Sequence, residues 1–263
     1  MVSRYDVDDS GGKQTFDHVV AFIDILGSSQ ILKSENEGVI KDYLRGIDGL
    51  YLSSSEHVSN GIKMFSDNIL IYSDGSTFDD VQSVVASVAQ IQWSVMKEFS
   101  LLIRGGVVIG RLDKIPETST DYIIGRAIVE AHELESKFAI YPRVIVSDDV
   151  VEMYSDSESL IKADWDLPFI DYLQMSMEEG FVTDGLDVYR QSLRKHIESN
   201  NRITGCTSDG WDRIRSKDVW TLSYYNDFCT ANGCEESVLD FKECYDPDSK
   251  RIVIRFNDDK GSE

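Results

Sequence analysis

Two aspartates stand where a chain can least comfortably hold them. Asp24 follows the apolar run Val19-Val20-Ala21-Phe22-Ile23 and precedes Ile25-Leu26-Gly27-Ser28. Asp67 occupies the polar middle of Lys63-Met64-Phe65-Ser66-Asp67-Asn68-Ile69-Leu70-Ile71-Tyr72. The first stretch reads as a buried strand ending in a small-residue turn, the second as a strand, a polar tip and a returning strand. A carboxylate so framed is costly unless a cation meets it. Two such groups at strand ends suggest a two-metal site for phosphoryl chemistry. The plainer alternative is a pair of turn or helix-cap aspartates. The turn from Ile25 to Ser28 opens a helix, so its backbone N–H groups, aided by the helix dipole, can cradle phosphates. A simple strand-to-helix turn is the alternative there.

Other residues invite the same double reading. Arg104 lies inside the apolar strand Leu101-Leu102-Ile103-Arg104-Gly105-Gly106. A buried guanidinium there needs an anionic partner, either a structural carboxylate or a bound polyphosphate. Glu130 and His132 share one helix and could enrich a metal cluster with Asp24 and Asp67, although a solvated helix face explains them more simply.

The elements that must position these groups follow from hydrophobic spacing. A polar, Gly-rich lead covers residues 1–15, and strand one covers about 17–25. Spaced apolar residues over Ser28–Leu52 predict a helix. Asp79 to Phe99 predicts a strong amphipathic helix with Val81, Val84, Val85, Val88, Ile91 and Val95 on one face. A glycine-bearing strand follows to Gly110, then a helix over Ala127–Lys137, a strand over Arg143–Ser147 and a short helix over Asp149–Tyr154. The order β-α-β-β-α-β-α-β is that of an α+β, ferredoxin-like or palm-type domain, an antiparallel-rich sheet with helices on one face. Residues 16–159 are read as this domain. Residues 160–263 are read as an α/β extension packed on it, with a helix over Asp184–Ser199, an aromatic-rich stretch over Val219–Phe228 and an edge strand over Arg251–Phe256.

Composition narrows the chemistry. The chain has 263 residues and a net charge of −21, from 26 Lys and Arg against 47 Asp and Glu. That disfavours nucleic acid as a partner, since phosphate backbones require clustered cations. No run of eighteen apolar residues offers a membrane span, and the N-terminus has no apolar signal core. Cys206, Cys229, Cys234 and Cys244 show no paired CxxC spacing, so neither a zinc knuckle nor a disulfide frame is expected. A cytoplasmic protein is the expectation.

Four segments, Phe22-Ile23-Asp24-Ile25-Leu26-Gly27, Phe65-Ser66-Asp67-Asn68-Ile69, Ile103-Arg104-Gly105-Gly106-Val107-Val108-Ile109-Gly110 and Gly125-Arg126-Ala127-Ile128-Val129-Glu130-Ala131-His132-Glu133-Leu134-Glu135, resemble in order and spacing the class III nucleotidyl cyclases. The pattern is most similar to the bacterial pyrimidine cyclases of the Pycsar anti-phage systems, and Lys217 to Asn226 looks like the segment that ends such enzymes. The resemblance implies cyclisation of a pyrimidine nucleoside triphosphate, UTP before CTP, to a 3′,5′-cyclic monophosphate and pyrophosphate. It implies two divalent ions, Mn²⁺ or Mg²⁺, held by Asp24, Asp67 and the carbonyl of Ile25, with Leu26, Gly27 and Ser28 at the phosphates. It implies a homodimer with active sites at the interface, whose product activates a separate effector.

By the same resemblance Lys63 stands where adenylate-type enzymes read the base, with a solvent-facing strand lysine as the alternative. Phe16 could stack on the base or simply pack. Tyr122 occupies the position of a base-selecting Asp, and Arg126 is a candidate for the transition-state cation, alongside Lys63, Arg111 or a metal ion alone. Purine cyclases carry Asn and Arg where this chain has Val129 and Glu133. That departure favours the pyrimidine subgroup, and it also keeps open a degenerate, non-catalytic nucleotide sensor. A haloacid-dehalogenase phosphatase is discarded because Leu26 fills the place of its second Asp. A diguanylate cyclase is discarded because Ser66 breaks its Gly-Gly signature.

Overall fold

The computed structural model describes residues 17–28, 61–115, 122–154, 160–162, 167–177 and 184–257, with 38, 41, 45, 46 and 49. The N-terminal lead, Phe16, the tail from Asp258 and most of the helix expected over Ser28–Leu52 lie outside the described residues. Those that are described within that helix are helical.

A seven-stranded sheet forms the frame, in the order β2-β3-β1-β4-β7-β9-β8. Its strands are β1 (Asp17–Leu26), β2 (Gly61–Phe65), β3 (Asn68–Tyr72), β4 (Leu102–Arg111), β7 (Val144–Val146), β8 (Ile161–Lys162) and β9 (Phe169–Ile170). A separate short hairpin joins β5 (Asp113–Ile115) to β6 (Tyr122–Ile124). Only the β4–β7 pairing is parallel. β1 lies at the centre between β3 and β4, which is why its apolar run is nearly continuous rather than alternating. The α+β, antiparallel-rich architecture read from the sequence is present.

Alternate residues of β1 face opposite layers. Val19, Ala21, Ile23 and Ile25 join the main core, whereas Val20 and Phe22 join a smaller cluster on the other face. The main core receives α1 (Phe78–Phe99), whose buried Val81, Val84, Val85, Val88, Ile91 and Val95 recur at helical spacing. Thr77 caps α1 in a capping box with Asp80, and Ser100 ends it in the left-handed conformation at φ 53°. The smaller cluster receives α2 (Arg126–Glu133) through Ala127 and Ala131. Among the described residues, then, α1 lies on one face of the sheet and α2 on the other, where the sequence pattern predicts helices on one face.

The chain beyond residue 160 adds to this frame. β9 pairs with β7 through Phe169 and Ile145, and β8 follows at the sheet edge. Two long helices, α4 (Asp184–Asn201) and α5 (Ser208–Ala231), come next, after the short α3 (Asp148–Tyr154) and a 3₁₀ turn at Tyr172–Met177. Trp93 of α1 stacks on Tyr189 of α4 with ring centroids 5.2 Å apart. Tyr172, Tyr189 and Tyr224 are fully enclosed, and burial pushes each phenol well above its ordinary pKa. The aromatic-rich stretch of the sequence is therefore the inner face of a helix, and it docks the extension to the core. Arg251–Phe256 is the strand β11, paired with β10 (Phe241–Asp246) in a two-stranded hairpin.

Gly106 of β4 lies directly beneath α2. A Cβ there would sit 2.4 Å from the Ala131 carbonyl oxygen and 2.6 Å from the Leu134 Cβ. Gly106→Val is expected to lift α2 from the sheet and to cost about 3 kcal/mol, by the usual penalty for overpacking. The midpoint of urea unfolding checks this.

Candidate active site

The register of the sheet composes the site. Phe65 pairs with Asn68, Asn68 with Asp24, and Asp24 with Arg104. Cross-strand partners share a face, so these four side chains form one row across β2, β3, β1 and β4 on the α2 side. The neighbouring row is Lys63, Leu70, Phe22 and Gly106. Lys63 therefore lies on the same face as Asp24, two strands over and one row along, at about 12 Å by strand geometry.

The cation that Asp24 required is close at hand. The Arg104 Nε donates to Asp24 Oδ2 at 3.1 Å, and a terminal nitrogen of the same guanidinium stands 2.8 Å from Glu135 Oε1. Glu135 is buried. It belongs to a π-helical turn, Leu134–Phe138, that continues α2 and closes with Ala139 N–H donating to the Leu134 carbonyl at 3.0 Å. Of the two partners offered to Arg104 by the sequence, the structural carboxylate is the one present, and it is doubled. This corrects the inference that Asp24 would be an unpaired charge without a metal. Burial raises the Glu135 pKa above its ordinary value, Arg104 opposes the rise, and the charge of Asp24 adds to it.

Asp67 is fixed from three sides. It forms, with Ser66, a two-residue hairpin loop, and Ser66 takes φ 61°, as the first position of a type II′ turn demands. The Asp67 carbonyl accepts the Ile25 N–H at 3.0 Å, which ties the hairpin tip to the end of β1. The Ser28 hydroxyl donates to Asp67 Oδ2 at 3.0 Å, and the Asn68 amide reaches Oδ1 at 3.4 Å. Gly27, at φ 86°, makes the turn that brings Ser28 under Asp67. The two sequence-predicted aspartates are thus brought to adjacent tips, and Ile25, Leu26, Gly27 and Ser28 connect them.

This donor set fits a hard divalent ion. Asp24 Oδ1 accepts no hydrogen bond among the described residues. The N–H and C=O of a strand residue point to the same side, so the Ile25 carbonyl faces the Asp67 hairpin as its N–H does. Two carboxylates and a carbonyl are the oxygen ligands that Mg²⁺ and Mn²⁺ favour. Among the described residues no group of three or more His, Cys, Asp and Glu side chains gathers as a metal cluster.

Other expected site residues lie elsewhere. His132 packs its ring on Phe22 at 5.0 Å, and Glu130 accepts from Arg126 Nε at 2.7 Å, so neither enriches the aspartate pair. Arg126 is also displaced from it. It begins α2 beside Gly110, whereas Asp24 lies opposite Arg104. Six strand residues separate the two levels, about 20 Å. Within one chain, then, Arg126 is no part of the aspartate group. Tyr122 begins β6, next to the same end of α2, and its side chain lies outside the described residues, as does Phe16.

Sequence reasoning missed Glu135 and Lys217. Lys217 of α5 lies near enough to Arg104 and Asp24 for both to act on its charge, and burial, more than Arg104, lowers its pKa. The lone Arg within an apolar strand was a usable signal for Glu135. Lys217 opens the segment that resembles the end of the pyrimidine cyclases, but that resemblance assigns the lysine no role.

No family model matches this sequence, and no curated protein does. Solved structures similar to it include nucleotidyl cyclases. One is the adenylyl cyclase CyaB from P. aeruginosa, at 16% identity and TM-score 0.47 over 60% of this chain and 92% of that one. Another is the guanylyl cyclase Cya2, at 14% identity and TM-score 0.44 over 57% and 82%. A third is the guanylate cyclase domain of RhGC from Catenaria anguillulae in complex with GTP, at 15% identity and TM-score 0.46 over 59% and 96%. Likeness this distant leaves the chemistry of the chain to be read from its own side chains.

The raised pKa of Glu135 gives a signed expectation. A folded-state acid that holds its proton more tightly stabilises the fold fully below its unfolded pKa, near 4.5, and that contribution is lost as pH rises through the folded value. Relative to Glu135→Gln, the wild type should lose stability as pH climbs from below 4.5 through the raised value, then level off. Urea midpoints of both proteins across that window measure it.

Proposed function

We propose that this chain is a nucleotidyl cyclase, taking a pyrimidine nucleoside triphosphate to its 3′,5′-cyclic monophosphate with release of pyrophosphate. The observation that supports the reading is the tie between the strand tips, Ile25 N–H to the Asp67 carbonyl at 3.0 Å, which joins the hairpin bearing Asp67 to the strand end bearing Asp24. UTP is the preferred substrate in this reading and CTP the second. The product serves as a second messenger for a separate effector in anti-phage defence.

Each group of the chain has a task in that reaction. Arg104 holds Asp24 by one carboxylate oxygen and leaves the other free to bind. Ser28 and Asn68 orient Asp67. The N–H groups of the Leu26–Ser28 turn receive the polyphosphate. Lys63, on the same sheet face, donates to a pyrimidine carbonyl, and the half-exposed ring of Phe65 offers the base an apolar flank. Held by Asp24, Asp67 and the Ile25 carbonyl, Mg²⁺ or Mn²⁺ supplies acidification of the ribose 3′-hydroxyl and neutralisation of the leaving pyrophosphate. Arg126 and Tyr122 lie too far along the sheet to serve the aspartates of their own chain. In a homodimer with the site at the interface they come from the second subunit.

A second reading has its own support. Asp24 is neutralised by Arg104 without any metal, Val129 is exposed, and Glu133 pairs with Lys137 at 2.9 Å. A nucleotide sensor of the same fold needs no more than this.

Purified protein incubated with Mn²⁺ and all four ribonucleoside triphosphates, with products read by mass spectrometry, separates the two. The expected product is cyclic UMP, with cyclic CMP less abundant. Asp67→Ala should lower its formation about 100-fold or more. Cyclic AMP as sole product would overturn the pyrimidine assignment, and an inert wild type that binds nucleotide would establish the sensor.

A further inference from the structure

A cavity of about 410 Å³ opens where the C-terminal helices meet the end of the sheet. Its walls come from the Leu26–Gly27 turn, the loop Phe99–Leu102 that joins α1 to β4, and the facing parts of α4 and α5. That volume is typical of small-molecule sites. One wall is apolar, built chiefly of Phe99, Leu101, Leu102 and Ile214.

Beside these, α4 and α5 also bring charged side chains to the lining. Asp218 is buried but fully engaged. It accepts both contacts of the Asn200 amide, at 3.0 and 3.1 Å, and its Oδ1 lies 3.2 Å from His196 Nε2. His196 is anchored in turn by Nδ1 to the Ser100 carbonyl at 2.8 Å. Lys195 of α4 and Lys217 of α5 also line the cavity, and neither makes a hydrogen bond or ion pair among the described residues. In a chain with 47 acidic residues against 26 basic ones, two lysines lining one cavity are unexpected; Lys195 is exposed, and Lys217 feels the charges of Asp24 and Asp218 as well as that of Arg104. Burial already disfavours the charged form of Lys217, and an anion would restore it.

We propose that this cavity binds an organic phosphate of about nucleoside-monophosphate size, with its phosphate between Lys195 and Lys217 and its body on the apolar wall. Two lysines act as point charges, and two of them match the double charge of a phosphate monoester better than the single charge of a carboxylate. The site lies behind the turn that carries Gly27 and Ser28, so occupancy stiffens the stretch on which Asp67 rests. It uses the helices beyond residue 184, and it stands whether or not the cyclase reading does.

The test is isothermal titration of the full chain in EDTA, with UMP and with inorganic phosphate as probes and sodium chloride matching ionic strength. UMP is expected to bind the wild type and the variant Asp67→Asn, whose charge does not act on Lys217, with equal affinity. Lys195→Met with Lys217→Met should weaken UMP at least about tenfold, the loss of a charge-assisted contact. Ser199→Phe, which fills the cavity and alters no charge, should also abolish binding and serves if the lysine variant does not fold. Inorganic phosphate should compete with UMP in the wild type. No heat with millimolar UMP, unchanged affinity in the lysine and Ser199→Phe variants, or loss of binding in the aspartate variant would each overturn the site.

Discussion

The guanidinium of Arg104 is the hinge of this structure's chemistry. It stands in a central strand between the carboxylates of Asp24 and Glu135. Three charges in a partly buried place are tolerable only together, because removal of any one strands its neighbours. That constraint explains features that otherwise look unrelated. The helix over β4 widens into a π turn where Glu135 must face inward. β1 carries a carboxylate near its end, between Ile23 and Ile25, rather than another branched aliphatic residue. Gly106, two residues beyond Arg104, keeps the strand slim enough for α2 to approach.

The same triad divides the labour between the two aspartates. Asp24 is held by a full charge from the sheet. Asp67 is held by a hydroxyl, an amide and a main-chain bond, which restrain its direction with little neutralisation. Of the two, Asp67 therefore retains more of its charge for a ligand, and Asp24 supplies the fixed point against which that ligand is placed. Under the cyclase proposal, such asymmetry suits a cation that arrives with its substrate rather than one that resides permanently.

Much of this was legible in the sequence because the relevant signals are local. The strand at β1, the hairpin around Asp67 and helix α1 announce themselves by period and by turn chemistry, and the aspartates stand out as charges in apolar frames. What stayed hidden depends on register. That Arg104 faces Asp24 follows only from the β1–β4 pairing across some eighty positions of chain, which no window of sequence reveals. The distance of Arg126 from Asp24 is likewise a matter of where α2 sits along β4. The sequence reading of an extension packed on the core names no partners for it; its aromatic residues are the inner surface of α5 and its strands β9 and β8 continue the sheet. Single-element periodicity cannot distinguish a helix that covers a neighbour from one that merely follows it.

The central position of β1 has a consequence for biosynthesis. Its apolar segment leaves the ribosome first among the strands, but one neighbour, β4, pairs Asp17 with Arg111 and emerges only much later. Until then the nascent chain carries a bare, aggregation-prone edge. Such a molecule would be expected to depend on a holding chaperone during translation, and to refold slowly from denaturant, because its most buried ladder closes one of its longest loops.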